Sequence, residues 1–243
     1  MVVAGVAGFI DAIAGGGGLL TVPALLNTGL PIHTVFGTNK GASVFGAATA
    51  LYRYWRAGAV DLQRARVLLV GGFLGSLAGA GAMTFVDPAV LRPLVLVLLV
   101  VAGVVVVFIR RPTAVQSAVA HAAGKAAGIA LLLGAYDGFF GPGTGTFLFV
   151  AMTLVLRLDA TSATGHAKVV NFASNAAAVV VLAAAGRVAW AISLPMALGQ
   201  FIGASLGARV ALRHGERLIR LVVLAVVIAL VAKLATDLLA SSR

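Results

Sequence analysis

Asp11-Ala12-Ile13-Ala14-Gly15-Gly16-Gly17-Gly18 and Asp137-Gly138-Phe139-Phe140-Gly141-Pro142-Gly143-Thr144-Gly145 decide how this chain reads. In both, an acid stands four residues before a glycine cluster, with apolar sequence on either side. Glycine favours non-helical backbone and Pro142 lacks a donor, so neither stretch continues a regular helix. The second follows the first at an offset of about 126 positions. At about 128, Gly37-Thr38-Asn39-Lys40 falls on Gly165-His166-Ala167-Lys168 and Gly58 on Gly186. Gly71, Gly75 and Gly79 fall on Gly199, Gly203 and Gly207. The chain is one structural unit written twice.

Each unit opens with two short apolar arms around its break, 2–14 and 19–30, then 125–140 and 146–156. Three longer runs follow in each, at about 38–55, 66–86 and 90–109, then 165–184, 190–209 and 218–239. Those runs are near the ~20 residues that a bilayer crossing needs. Of the 243 residues, 61% are hydrophobic and 10% charged, where a soluble domain carries about a quarter charged. The expected fold is therefore all-α, a polytopic transmembrane protein. Its parts are repeat unit one at 1–110, a cytoplasmic linker at 111–125 and repeat unit two at 126–243. No soluble domain and no cleavable signal peptide are expected, because the first stretch lacks a basic start.

Zero Cys excludes disulfides, thiolate metal sites and cysteine chemistry. The four His are scattered without metal-ligand spacing, so neither metal nor other cofactor is expected. No paired-carboxylate or Ser/His constellation marks an enzyme. The net charge of +11 reads as basic loops that resist translocation, not as a nucleic-acid surface.

Those basic residues set a topology. Arg53, Arg56, Arg64 and Arg66 flank one loop, and Arg110, Arg111 and Lys125 mark the link between units. Arg157 follows the second arm of unit two, and Arg209, Arg213, Arg217 and Arg220 flank the last loop. The remaining connections hold only Arg92 and Arg187. If the first four regions are cytoplasmic, the positive-inside rule is obeyed throughout. Lys125 and Arg157 then lie on one side, so the glycine-broken segment between them enters and leaves by one face, as a re-entrant hairpin. Three true crossings remain per unit. An odd number makes the two repeats inverted, a plan that puts a transporter's substrate site near the midplane at broken helices.

The candidate site follows. Irregular backbone at membrane depth survives only inside protein or along a wet cavity. The arm after each break starts with free N–H groups and a positive dipole end, which suits an anion at Gly17, Gly18, Gly143 and Thr144. Lys40 and Lys168, four residues or fewer past a loop, would bring two cations to the centre. Asp11 and Asp137, the deepest acids, either carry a coupling proton, pair with a lysine or cap the bend. Asn171 and Asn175 share the helical face of Lys168. His166 replaces Thr38 of unit one and titrates near neutral pH when unperturbed. The glycine stripes at 71–79 and 199–207 are read as close helix packing.

The run from Gly8 to Gly18, Pro23 and Gly37-Thr38-Asn39-Lys40 resembles the TauE/SafE family, sulfite exporters and 4-toluene sulfonate uptake permeases. Gly141–Gly145 and Ala163-Thr164-Gly165-His166-Ala167-Lys168-Val169-Val170-Asn171 resemble that family's second-half motif. The resemblance covers nearly the whole chain. It implies a secondary transporter of small sulfur-containing oxyanions or organosulfonates in the bacterial inner membrane, with Thr38 and Asn39 as further substrate contacts. An anion channel and a carboxylate carrier are the alternatives. The expected partners are the small anion and the lipid bilayer, with a homodimer left open.

Overall fold

The computed structural model describes residues 1–91, 93, 94, 97, 98 and 122–214, and all regular structure among them is helical. The helices are α1 Val2–Ala14, α2 Gly18–Leu26, α3 Ile32–Arg56, α4 Leu62–Thr84, α5 Ala122–Phe139, α6 Thr144–Leu154 and α7 Ala160–Ala184. Trp190–His214 forms α8, and residues 88–91 are also helical. Most of the expected run at 90–109, all of that at 218–239, linker residues 111–121, and Arg92, Arg110, Arg111, Arg217 and Arg220 lie outside the described residues.

Three described helices, α4, α7 and α8, are long and apolar enough to cross a membrane. α3 is as long as α7, at 25 residues, but it buries His33, Thr38, Asn39 and Lys40. Its polar groups point into protein, so its composition understates its fitness for lipid. Leu194, Leu198, Phe201, Ile202 and Leu206 of α8 and Leu69, Val70 and Leu74 of α4 are exposed. Such apolar surface suits hydrocarbon. Trp55 and Trp190 are exposed near helix ends, where interfacial aromatic rings belong.

Several helices begin earlier than hydropathy suggests, because caps start them. Asp61 accepts from the Arg64 N–H at 2.8 Å, and Asp159 accepts from the Thr161 and Ser162 N–H groups at 3.0 Å each. Those bonds satisfy N–H groups that a helix start leaves orphaned. Pro31 precedes α3 in extended conformation, which its fixed φ favours. One expectation is corrected here. Lys40 and Lys168 are not near helix starts: each is the ninth residue of its helix, about 12 Å along the axis. α5 also begins at Ala122, inside the range assigned to the linker.

The packing repeats at the offset found in the sequence. A Cβ at Gly75 or Gly79 of α4 would overlap the carbonyls of Leu131 or Ala135 of α5. One at Gly203 or Gly207 of α8 would overlap those of Gly5 or Phe9 of α1. The small-residue stripes therefore seat backbone against backbone, and each holds the first arm of the other unit. Both contacts advance together along the chain, so α5 runs parallel to α4 and α1 parallel to α8. The loop after α3 packs on the start of α7, with Ala59 O against Gly165. The loop after α7 packs on the start of α3, with Arg187 O against Gly37. α3 and α7 are therefore antiparallel.

Candidate functional site

The two glycine breaks meet. Gly15, Gly16, Gly141 and Gly143 all have positive φ, 75°, 99°, 94° and 86°, a region that glycine enters without a steric penalty. A Cβ at Gly145 would stand 2.6 Å from Gly15 Cα, and one at Gly18 3.4 Å from Pro142 Cα. The Thr146 hydroxyl donates to Ala14 O across the junction at 3.1 Å.

Two buried ion pairs flank this junction, and both cross between units. Lys40 Nζ of α3 lies 2.9 Å from Asp137 Oδ1 of α5. Lys168 Nζ of α7 lies 2.8 Å from Asp11 Oδ2 of α1 and also donates to the Asp11 carbonyl oxygen. A lone ion at such a depth is costly, and pairing offsets the desolvation. The pairs are not equivalent. The Asp137 side chain is 5% exposed and accepts from the Ser174 hydroxyl. The Asp11 side chain is 25% exposed and accepts from the Gly17 N–H at 3.2 Å.

Between the pairs lies a cavity of about 30 Å³, room for about two water molecules. Gly16, Gly17 and Gly18 line one side, and Gly141, Gly143, Thr144 and Gly145 the other. α3 contributes Asn39, Lys40 and Ser43, α7 contributes Asn171 and Asn175, and α8 contributes Gln200. Asp11 and Asp137 complete the wall. Asn39 Oδ1 accepts from the Thr21 hydroxyl, and Asn175 Nδ2 donates to Asn171 O at 2.6 Å.

Ten of the thirteen residues expected at the site thus share one cavity. The other three do not line it. Lys168 stands behind Asp11, 1% exposed at its side chain. The Thr38 hydroxyl accepts from the Ala189 N–H at 3.0 Å. His166 Nε2 accepts from the Asp61 N–H at 3.1 Å, and its Nδ1 lies 2.8 Å from Ser162 O. Those partners assign a neutral imidazole protonated at Nδ1. Thr38 and His166 are matched positions, and each satisfies the start of the helix that follows a neighbouring loop.

The free N–H groups expected after the breaks are partly spent. Thr144 N–H donates to Gly141 O at 3.1 Å and Leu19 N–H to Gly16 O at 2.9 Å. Sequence reasoning missed Ser174 and Gln200. Gln200 was signalled by its place inside an apolar run, where a polar residue calls for a reason.

An all-helical membrane protein with a buried, charge-paired cavity at two broken helices has the layout of a membrane transporter. The chain belongs to the sulfite exporter TauE/SafE family, whose model matches residues 1–234. It is 36% identical over 199 residues to a probable membrane transporter protein of Haemophilus influenzae, covering 81% of this chain and 78% of that one. It is 37% identical over 205 residues to the probable membrane transporter protein ORF9 of Sinorhizobium, covering 83% and 77%. It is 35% identical over 207 residues to the probable membrane transporter protein YfcA of Escherichia coli K12, covering 82% and 75%. No solved structure matches it.

Proposed function

We propose that this protein is a secondary transporter of a small sulfur-containing oxyanion or organosulfonate, with sulfite as the type substrate. The observation that carries the reading is the exchange of partners across the cavity: the lysine of each unit pairs with the acid of the other. Any motion of one unit against the other must strain or break these pairs. An anion entering the cavity competes with the acids for the lysines. The site and the moving joint are then one place, as alternating access requires.

The antiparallel course of α3 and α7, and the crossed packing of α1 on α8 and α5 on α4, support two inverted repeats, 1–110 and 126–243. The glycine-broken arms α1–α2 and α5–α6 would be their re-entrant hairpins. A cavity with room for about two waters suits an occluded state rather than an open channel. Asp11, the more exposed acid, is the proton-coupling candidate, because its protonation would free Lys168 for the anion. Asp137, held by both Lys40 and Ser174, is the more tightly engaged of the two acids. The bacterial inner membrane is the site of action. A homodimer is compatible with two separate cavities.

The test is sulfite counterflow in proteoliposomes. Lys40→Met and Lys168→Met should each abolish saturable flux while the protein stays monodisperse. Asp11→Asn should remove the dependence on a pH gradient. Unaltered flux in both lysine variants would overturn the reading, and single-channel currents would replace the transporter with a channel.

A further inference from the structure

We propose that Gln200 is a specificity-determining residue that donates to the third oxygen of a pyramidal –SO3 head and so separates sulfur oxyanions from carboxylates. The inference rests on the transporter reading above and names the chemistry of its site.

Gln200 is 3% exposed and lines the cavity. Its side chain makes no hydrogen bond among the described residues; the only fully enclosed side-chain atom there without a partner is Ser193 Oγ, so the Gln200 amide is open to the cavity rather than sealed in protein. One neighbouring glycine leaves room for it: a Cβ at Gly46 of α3 would stand 2.7 Å from the Gln200 amide oxygen and 3.2 Å from its Cβ. At Gly8 of α1 the Gln200 backbone carbonyl, 2.7 Å from a Cβ, is as close as the amide oxygen at 2.8 Å, so that glycine seats helix against helix as well.

Packing alone does not account for this. The matched position in unit one is Gly72, and there the helices close without an inserted side chain. A Cβ at Gly134, the counterpart of Gly8, would stand 2.6 Å from Gly72 O and 2.9 Å from Gly72 Cα. The fold therefore closes this joint without a glutamine, and only unit two places one at the cavity.

Two other amides face the same space. Asn39 has given its oxygen to Thr21, which leaves its Nδ2 to donate. Asn171 has a side chain without a partner among the described residues, 5% exposed. Asn39, Asn171 and Gln200 come from α3, α7 and α8, three walls of one small chamber. The lysines attract any small anion alike, so these neutral donors decide which anion fits. Three donors from three directions match three oxygens on a pyramidal centre. A planar carboxylate has two oxygens and leaves one donor unmet, and an unmet buried donor is expensive.

The test uses the full chain in proteoliposomes, with sulfite and methanesulfonate as transported probes and acetate as a competitor. Gln200→Leu, of similar volume, should raise the KM for sulfite and methanesulfonate by about tenfold or more, the loss of one hydrogen bond to a charged group. Its maximal rate should change far less, and inhibition by acetate should hold or strengthen, because the donor that acetate leaves unmet is gone. Gly46→Ala, whose methyl group meets the Gln200 side chain at its amide oxygen, 2.7 Å, and at its Cβ, 3.2 Å, should raise the same KM values by pushing the side chain aside, and it decides the matter if Gln200→Leu does not fold. An unchanged sulfite KM, or an equal weakening of acetate, overturns the inference. If the parent protein itself moves neither sulfite nor methanesulfonate, the transporter reading has failed, not the role of Gln200 alone.

Discussion

Removing one member of the Lys40–Asp137 pair is the sharpest test of the crossed ion pairs. The nitrogen and oxygen are 2.9 Å apart, and the side chains are 2% and 5% exposed. Lys40→Met fills similar space but strands the Asp137 carboxylate with the Ser174 hydroxyl alone. An uncompensated buried charge of this kind costs about 3–5 kcal/mol, which shifts a melting midpoint by roughly 10 °C for a chain of this size. Asp137→Asn strands Lys40 at similar cost. The double variant has no stranded charge, so its loss should be smaller than the sum of the two singles by about 2 kcal/mol. The pair at Lys168 and Asp11 should behave differently. Asp11 is 25% exposed, so water weakens the interaction, and after Asp11→Asn the backbone oxygen of residue 11 still accepts from Lys168. About 1–2 kcal/mol is expected there. Trp55 and Trp190 report unfolding by intrinsic fluorescence in detergent micelles. Additive losses for Lys40 and Asp137, or losses equal at both pairs, would refute the reasoning.

Three further outcomes follow. Gly75→Ala and Gly203→Ala should each destabilise by about 1–3 kcal/mol through overpacking, since each new methyl meets a carbonyl of the partner helix, while Gly81→Ala, with nothing near its Cβ, should be neutral in the same melts. Thr38→Val and His166→Leu should cost about 1 kcal/mol each, as lost helix-start hydrogen bonds do, and leave the sulfite KM in proteoliposomes unchanged, because neither lines the cavity. Burial alone would push the Asp159 carboxyl up, but hydrogen bonds from Ser162 and Thr161 hold it below the usual carboxylate range. Its contribution is therefore present above the unfolded carboxylate pKa of about 3.9 and lost as pH falls through the lower folded value. Melting midpoints followed from pH 6 to pH 3 should show this acid loss in the parent and a shallower one in Asp159→Ala.

Much of the site was legible because it is written in residue types that lipid makes expensive. An acid, a lysine or an asparagine inside an apolar run needs a partner or a cavity. Asp11, Asp137, Lys40, Asn171 and Asn175 were found on that ground and Asn39 through the family resemblance, and all line the cavity. Thr38, implied by the resemblance, and His166, read as a titratable group, hold loop backbone instead. A polar side chain near a helix start has two ways to be satisfied, and sequence spacing does not choose between them. Helix starts were also misjudged, because Asp61, Asp159 and Pro31 begin helices inside polar sequence.

Composition and the placing of glycines alone determined an all-helical membrane protein with two glycine breaks. These follow from local physics: hydrocarbon selects apolar runs, and four glycines or a Gly-Pro-Gly cannot stay helical. Which lysine meets which acid was decided only by the tertiary structure. Nothing in the chain's order says that Lys40 should find Asp137 rather than Asp11, which lies nearer in sequence. The choice depends on how backbones approach across the glycine stripes. α5 seats on α4 and α1 on α8, so each acid is delivered to the other unit's lysine. The two breaks found in the sequence thereby close on one shared cavity.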